Sequence, residues 1–340
     1  MASAEVRDLR RRIKSVEATM KITRAMELIA ASRIPRAQAR VAASKPYSGK
    51  LVEVIQNVSA AGAGSHPLLE QRDVKTVGVL VISSDRGLCG AYATQIIRHA
   101  EREVIAHQQA GKDVRIFAVG KKAQQYFEYR KYPVERSFLG ITDRPGYADA
   151  RAIANTLIDA YSAGRIDMVD AFYTRFQSAL TQVPTRYQLL PSHTPEGGET
   201  AGTVDYAFEP SPQDILDRLL PRYVEATVFS MLLEASASEH SARRRAMKAA
   251  TDNADELVTL LTRNANQARQ AEITTEISEI VGGAEALSSV KVEPEGAKRG
   301  RSSQRRKGGP GCRAGRRRRI PSRGSPRDPL RPRCVVRGGR

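Results

Sequence analysis

The residues best placed to do chemistry sit in one turn, Ser83-Ser84-Asp85-Arg86-Gly87-Leu88-Cys89-Gly90. An apolar, strand-like run (VKTVGVLVISS, 74–84) leads into it and a helix-like run (91–110) leads out. Many α/β proteins hold a phosphate in such a strand–turn–helix, because a helix start presents free N–H groups. Yet this turn has neither the GxGxxG nor the GxxxxGK[ST] spacing. The other reading is structural: the glycines make a tight turn, and Asp85 or Arg86 holds the loop or a neighbour. Cys89 as a nucleophile would need a base, and the five histidines (His66, His99, His107, His193, His240) form no motif around it. No histidine pair has zinc-ligand spacing. The expectation is a chain without catalysis, cofactor or metal.

The elements around this turn set its context. Residues 3–58 read as one long helix. With Val6 at heptad position a, the a residues are Val6, Ile13, Met20, Glu27, Ile34, Val41, Ser48 and Ile55. The d residues are Leu9, Val16, Thr23, Ala30, Ala37, Ser44, Leu51 and Val58. Twelve of these sixteen are apolar, which is a coiled-coil seam. Pro35 and Pro46 interrupt it, and kinks are expected there. Residues 59–73 are a small-residue linker. Between 74 and 210 strands (74–84, 114–119, 168–176, 185–190) alternate with helices (91–110, 121–129, 147–163), the pattern of a Rossmann-like α/β domain with a mainly parallel sheet. A polar loop covers 192–202. A second long helix starts at Ser211, as N-cap, with Pro212 at its first position. Its seam reads Met247, Ala250, Ala254, Leu257, Leu261, Asn264, Ala268, Ala271, and Gly282-Gly283 is the expected stop. At 1.5 Å per residue the two helices would span roughly 80 Å and 100 Å. Neither can bury its seam alone, so an antiparallel coiled coil with the α/β domain inserted at one side is the economical fold.

Charge does not identify the body. The formal net charge is +18, but residues 288–340 hold 18 Lys and Arg against 3 Asp and Glu, a net of +15, which leaves +3 for 1–287. This tail also carries 9 Gly and 6 Pro and is expected to be disordered. It is either a basic nucleic-acid-binding arm or a frame-shift product, since GC-rich DNA read out of frame encodes Arg, Gly, Pro, Ala and Ser. The three cysteines (Cys89, Cys312, Cys334) include no CxxC pair and, being odd in number, fit no disulfide framework, which points to a reducing cytoplasm. The start, MASAEVRDLRRRIKSV, lacks the apolar core of a signal peptide. No run of about 18 apolar residues occurs. Direct membrane insertion is therefore not expected, and any membrane link runs through a partner.

Three segments resemble the γ subunit family of bacterial F-type ATP synthases. They are Ile13-Lys14-Ser15-Val16 with MKITRAMELIAASRIPRAQ (20–38), SSDRGLCGAY (83–92), and AMKAATDNADEL (246–257) running on to ARQAEITTEISEIVGGAEAL (268–287). PRYVEATVF (221–229) and TQVPTRYQLLP (181–191) also look like family stretches. The tail beyond Leu287 and Pro35 depart from the family pattern.

The resemblance implies a non-catalytic central rotor. A membrane c-ring turns as ions cross, the shaft turns with it, and its tip changes the catalytic β subunits in sequence. Implied partners are the α and β subunits, the ε subunit and the c-ring, with no nucleic acid, on the cytoplasmic side of the cell membrane. Lys21, Arg24 and Met26 match the family segment that faces an acidic β loop. Arg269, Gln270, Thr274 and Glu276 match its catch contacts with another β loop and are expected near one helix face. Asp85, Arg86, Tyr206 and Glu209 are implied to face ε and the c-ring at the base. Two other readings stay open on the residues: a nucleic-acid-binding coiled coil, suggested by the tail, and a nucleotide-binding enzyme, suggested by the turn.

Overall fold

The computed structural model describes residues 4–60, 66–192 and 211–289. Residues 1–281 form one compact unit and 282–340 a second, of which only the end of the last helix is described. Among the described residues ten elements follow in order. They are α1 (Ala4–Ala60), β1 (Thr76–Ile82), α2 (Tyr92–Gln109), β2 (Asp113–Val119), α3 (Lys121–Tyr129), β3 (Val134–Phe138), α4 (Tyr147–Ser162), β4 (Met168–Phe176), β5 (Gln182–Leu190) and α5 (Pro212–Ser289).

The strands form one sheet in the order β3-β2-β1-β4-β5. β1 pairs in parallel with β2 and β4, and β2 with β3, whereas β5 returns antiparallel beside β4. β1 is buried along almost its whole length, which explains its unbroken apolar run. One face packs Val77, Val79 and Val81 against Ile96, Ala100 and Val104 of α2 and Phe127 of α3. The other packs Leu80 and Ile82 against α4 and the proximal parts of α1 and α5.

α1 and α5 run antiparallel. Leu51, Ile55 and Val58 share a core with Leu216, Leu220 and Val224. Val41 packs with Leu233 and Ala237, and further out Thr23 Oγ1 meets Thr251 Oγ1 at 2.8 Å. None of the sixteen α1 seam residues is exposed. Pro35 and Pro46 lie inside α1, whose helical assignment is unbroken through both.

The seam of α5 differs from the sequence expectation. From 251 to 281 the shielded positions are Thr251, Ala254, Val258, Leu261, Ala265, Ala268 and Glu272. Ala254, Leu261 and Ala268 are as expected. Met247 and Ala250 are shielded as expected too; from 257 on, however, the alternate seam positions lie one residue further on, and Leu257 is 43% exposed. Steps of three and four can be laid along a helix in either order, and apolarity alone favoured the wrong one. Gly282 and Gly283 do not end α5, which continues to Ser289. The cap at its start is as read: Asp214 N–H donates to Ser211 Oγ at 3.1 Å, and Ser211 Oγ donates to Asp214 Oδ2 at 2.7 Å. β3 was absent from the sequence reading. It is a short edge strand with two outward charges, Glu135 and Arg136, a pattern that protects sheet edges but hides them from periodicity.

Candidate functional site

The turn after β1 lies where three loops meet at the carboxyl ends of the parallel strands. Asp85 is its centre. Its carboxylate accepts from the N–H groups of Lys121 (3.1 Å), Gly140 (3.0 Å) and Thr142 (3.1 Å) and from Thr142 Oγ1 (2.9 Å). Lys121 is the first residue of α3, so its N–H is one that a bound phosphate would use. Here the chain's own carboxylate takes that place. Burial alone would raise the Asp85 pKa, but the bonds from Gly140, Thr142 and Lys121 outweigh it and hold the group below its usual range. Gly120, with φ +92°, brings the next loop so close that a Cβ would lie 3.0 Å from Ser83 backbone atoms.

The other side of the turn docks on α5. Arg243 Nη2 reaches the carbonyls of Arg86 and Gly87 at 3.5 and 3.4 Å and pairs with Glu239 at 2.6 Å. Tyr92 donates to the carbonyl of Ala235 at 3.1 Å. Cys89 is buried in this contact, with Ser84 Oγ at 3.7 Å and the Arg86 carbonyl at 3.8 Å. Its neighbours are packing partners. A second loop, 143–145, is clamped from both helices. Arg33 of α1 holds Asp143 at 2.5 and 2.6 Å, and Arg40 donates to the Pro145 carbonyl. From α5, Ser236 Oγ and His240 Nε2 approach the Asp143 carbonyl at 3.2 and 3.3 Å.

Between these contacts lies a cavity of about 360 Å³. Met26, Ile29 and Leu88 give it apolar wall, and Arg86, Asp143 and His240 give it polar wall. Burial pushes the His240 pKa down, opposed by Asp143, while burial pushes Glu239 up, opposed by Arg243. The polar stretch 236–243 of α5 thus belongs to the interior. Nothing in its composition marks it as buried except its Ala and Ser residues, which permit close backbone approach.

The structure brings two of the expected residues together: Met26 and Arg86 line the same cavity. Lys21 and Arg24 are exposed on α1. Arg269, Gln270, Thr274 and Glu276 are exposed on α5, and Thr274 Oγ1 donates to the Gln270 carbonyl at 2.9 Å. At 100° per residue, Arg269 and Glu276 share one direction, and Gln270 and Thr274 point roughly 100–160° away. Of the four, Glu276 alone lines the groove of about 700 Å³ that Glu5 and Leu9 form with α5. Tyr206 and Glu209, like the loop 193–202 and the tail 290–340, lie outside the described residues. Sequence reasoning missed Arg33, Asp143, Glu239, His240 and Arg243.

The arrangement is that of a two-helix shaft gripped by a sheet domain whose phosphate-type turn is filled from within. The family model for ATP synthase matches residues 5–287. The chain belongs to the ATP synthase gamma chain family. The gamma chain of Mycolicibacterium smegmatis is 45% identical over 306 residues, covering 85% of this chain and all of that protein. That of Desulforamulus reducens is 47% identical, covering 84% of this chain and all of its own. Among solved structures, a chain of the Euglena gracilis mitochondrial ATP synthase has TM-score 0.61 at 16% identity, covering 86% of this chain and 98% of that one. A chain of the Tetrahymena thermophila mitochondrial ATP synthase central stalk and c-ring structure has TM-score 0.53 at 23% identity, covering 67% and 99%.

Proposed function

We propose that this chain is the central rotor stalk of an F-type ATP synthase, carrying torque between a membrane c-ring and the catalytic β subunits and doing no chemistry itself. The observation that carries the reading is the pairing of α1 with α5 along a shielded seam, in a chain of the gamma family. Two helices paired as an antiparallel coiled coil resist twisting better than one. The junction then transmits rotation, because Arg33, Arg40, Ser236 and His240 hold one loop of the sheet domain from both helices. ATP is made in partners whose states differ in affinity, and the shaft acts by biasing those states.

Lys21, Arg24 and Met26 face an acidic β loop. Arg86 faces ε and the c-ring at the base, and also lines the Met26 cavity. Arg269, Gln270, Thr274 and Glu276 make the catch contacts. Asp85 supports the turn from inside, and Tyr206 and Glu209 meet ε and the c-ring. The complex holds the chain peripherally on the cytoplasmic side of the cell membrane. Among the described residues no helix is long and apolar enough to cross a membrane. The tail after 287 is a frame-shift product or a basic arm. RNA binding that disappears on deleting 288–340 would support the arm.

The test is reconstitution. Purified α, β and ε subunits are combined with this chain, and ATPase activity and the rotation of a bead fixed to the sheet domain are recorded. Restored activity with rotation is expected. Failure to co-assemble would refute the reading.

A further inference from the structure

The two possible seams of α5 are both good ones, and they differ by a small rotation. Positions 254, 261 and 268 serve in either. The observed seam adds Thr251, Val258, Ala265 and Glu272. The other would bring in Leu257, Asn264 and Ala271, which are exposed, and bury Ala250, already half-buried, more fully. Moving from one to the other turns α5 by about 50° about its own axis, the difference between mean directions of an i,i+4 and an i,i+3 pair. Apolar content does not forbid the exchange. Leu257 would enter as Val258 leaves, Ala271 would replace Glu272, and the loss is Asn264 taking the place of Ala265.

Two independent observations point to low resistance. The first is the polar lock. Thr23 and Thr251 bond across the seam at 2.8 Å, but each hydroxyl also has an acceptor on its own helix. Thr23 Oγ1 lies 3.0 Å from the Met20 carbonyl and Thr251 Oγ1 2.9 Å from that of Met247. Breaking the cross-helix bond therefore leaves neither hydroxyl without an acceptor. The second is space. The groove of about 700 Å³ near the far end is lined by Glu5 and Leu9 of α1 and by α5 residues of both seams, among them Asn264, Ala268, Ala271 and Glu272. Open space thus lies beside the seam at the level of Asn264 and Ala271, while Val6 and Ala265 stay buried within it.

We infer that the distal part of α5, from about 250 to 272, is a two-state torsional element that can exchange the Thr251/Val258/Ala265 seam for the Ala250/Leu257/Asn264 seam while staying paired with α1. Its role as elastic give in a loaded shaft rests on the rotor reading; the exchange itself is a property of the chain. Twist at one end would be stored as a change of seam, with the sheet domain and its junction undisturbed.

Disulfide trapping in the full chain tests it, in a Cys312→Ser/Cys334→Ser background with buried Cys89 retained. One heptad out from Thr23–Thr251, Val16 faces Val258 in the observed seam and Leu257 in the other. Val16→Cys/Val258→Cys should cross-link efficiently on mild oxidation, and Val16→Cys/Leu257→Cys poorly. Adding Thr251→Lys charges the observed seam and leaves the other free of it. The Leu257 pair should then gain several-fold in yield while the Val258 pair loses as much. Ala265→Lys, at another level, should do the same if Thr251→Lys folds badly. Both pairs falling together, or neither changing, would mean a single seam that opens instead of exchanging, and would overturn the inference. This readout needs no partner subunit, so a failure of rotor assembly leaves it interpretable.

Discussion

Asp85 and Thr142 bond in both directions: the Thr142 hydroxyl donates to Asp85 Oδ2 at 2.9 Å, and the Asp85 N–H donates to Thr142 Oγ1 at 3.1 Å. With the Lys121 and Gly140 N–H groups on the same carboxylate, one side chain closes three loops. A turn of a kind that elsewhere receives a phosphate is thereby made permanent.

Removing that carboxylate should strand the part-buried N–H and hydroxyl of Thr142, while the exposed Lys121 and Gly140 N–H groups turn to water. Asp85→Ala is expected to cost about 1–3 kcal/mol, the range for leaving a buried donor unpaired. Chemical denaturation measures it. Because the vacated donors include a helix start, sulfate should restore part of the loss in the variant and add less to the parent. Equal sulfate effects on both would reject the internal-anion account.

Arg243 and Glu239 form an ion pair at 2.6 Å with both side chains nearly inaccessible. Arg243→Ala leaves a buried carboxylate alone and should cost about 3–5 kcal/mol. Adding Glu239→Gln should recover a good part of this. A double variant no more stable than Arg243→Ala would show that the guanidinium contacts with the Arg86 and Gly87 carbonyls matter more than the charge pair.

His240 makes the junction sensitive to acid. Burial lowers its pKa below the ordinary 6.5, opposed by Asp143 and helped by Arg243 and Arg33. The unfolded chain then binds the proton more readily than the folded one. The stabilisation is complete above about pH 6.5 and is lost as pH falls through the folded value. Burial raises Glu239, which acts in the opposite sense as pH rises. His240→Gln should therefore flatten the fall of unfolding free energy between about pH 7 and 5. An unchanged slope would place that pH dependence elsewhere.

Arg269 and Glu276 are exposed and near the tip. Arg269→Ala and Glu276→Ala should change folding stability by less than about 0.5 kcal/mol, as surface substitutions do, yet lower coupled ATP synthesis in the reconstituted complex. Paired measurements of melting and synthesis decide it; normal coupling in both variants would remove these residues from the contact.

How much was legible follows from what each element must bury. The α1 seam could be counted from the sequence because none of its positions is exposed, whether it meets α5 or the sheet domain. α3 and β4 were readable to the residue because glycine breaks and apolar runs coincide with their ends. The α5 seam was not, because Leu257 makes the rejected register the more apolar one and the choice is settled by α1. The junction was least visible. Ser236, Glu239, His240 and Arg243 carry polar side chains, and become interior because the 143–145 loop and the Arg86-Gly87 turn, far earlier in the chain, are brought against them. A pairwise contact between distant segments has no periodicity to announce it.

Thr23 and Thr251 are 228 residues apart in sequence. α1 leaves the ribosome first, yet its partner strip on α5 is made last. During synthesis the N-terminal helix must therefore wait, apolar side outward, while the whole sheet domain forms between. Closure spans about two thirds of the chain, a slow step for any polypeptide. Termination just before residue 250 would leave the outer stretch of α1 around Thr23 bare and prone to aggregate, although Val41, Leu51 and Ile55 would already be covered.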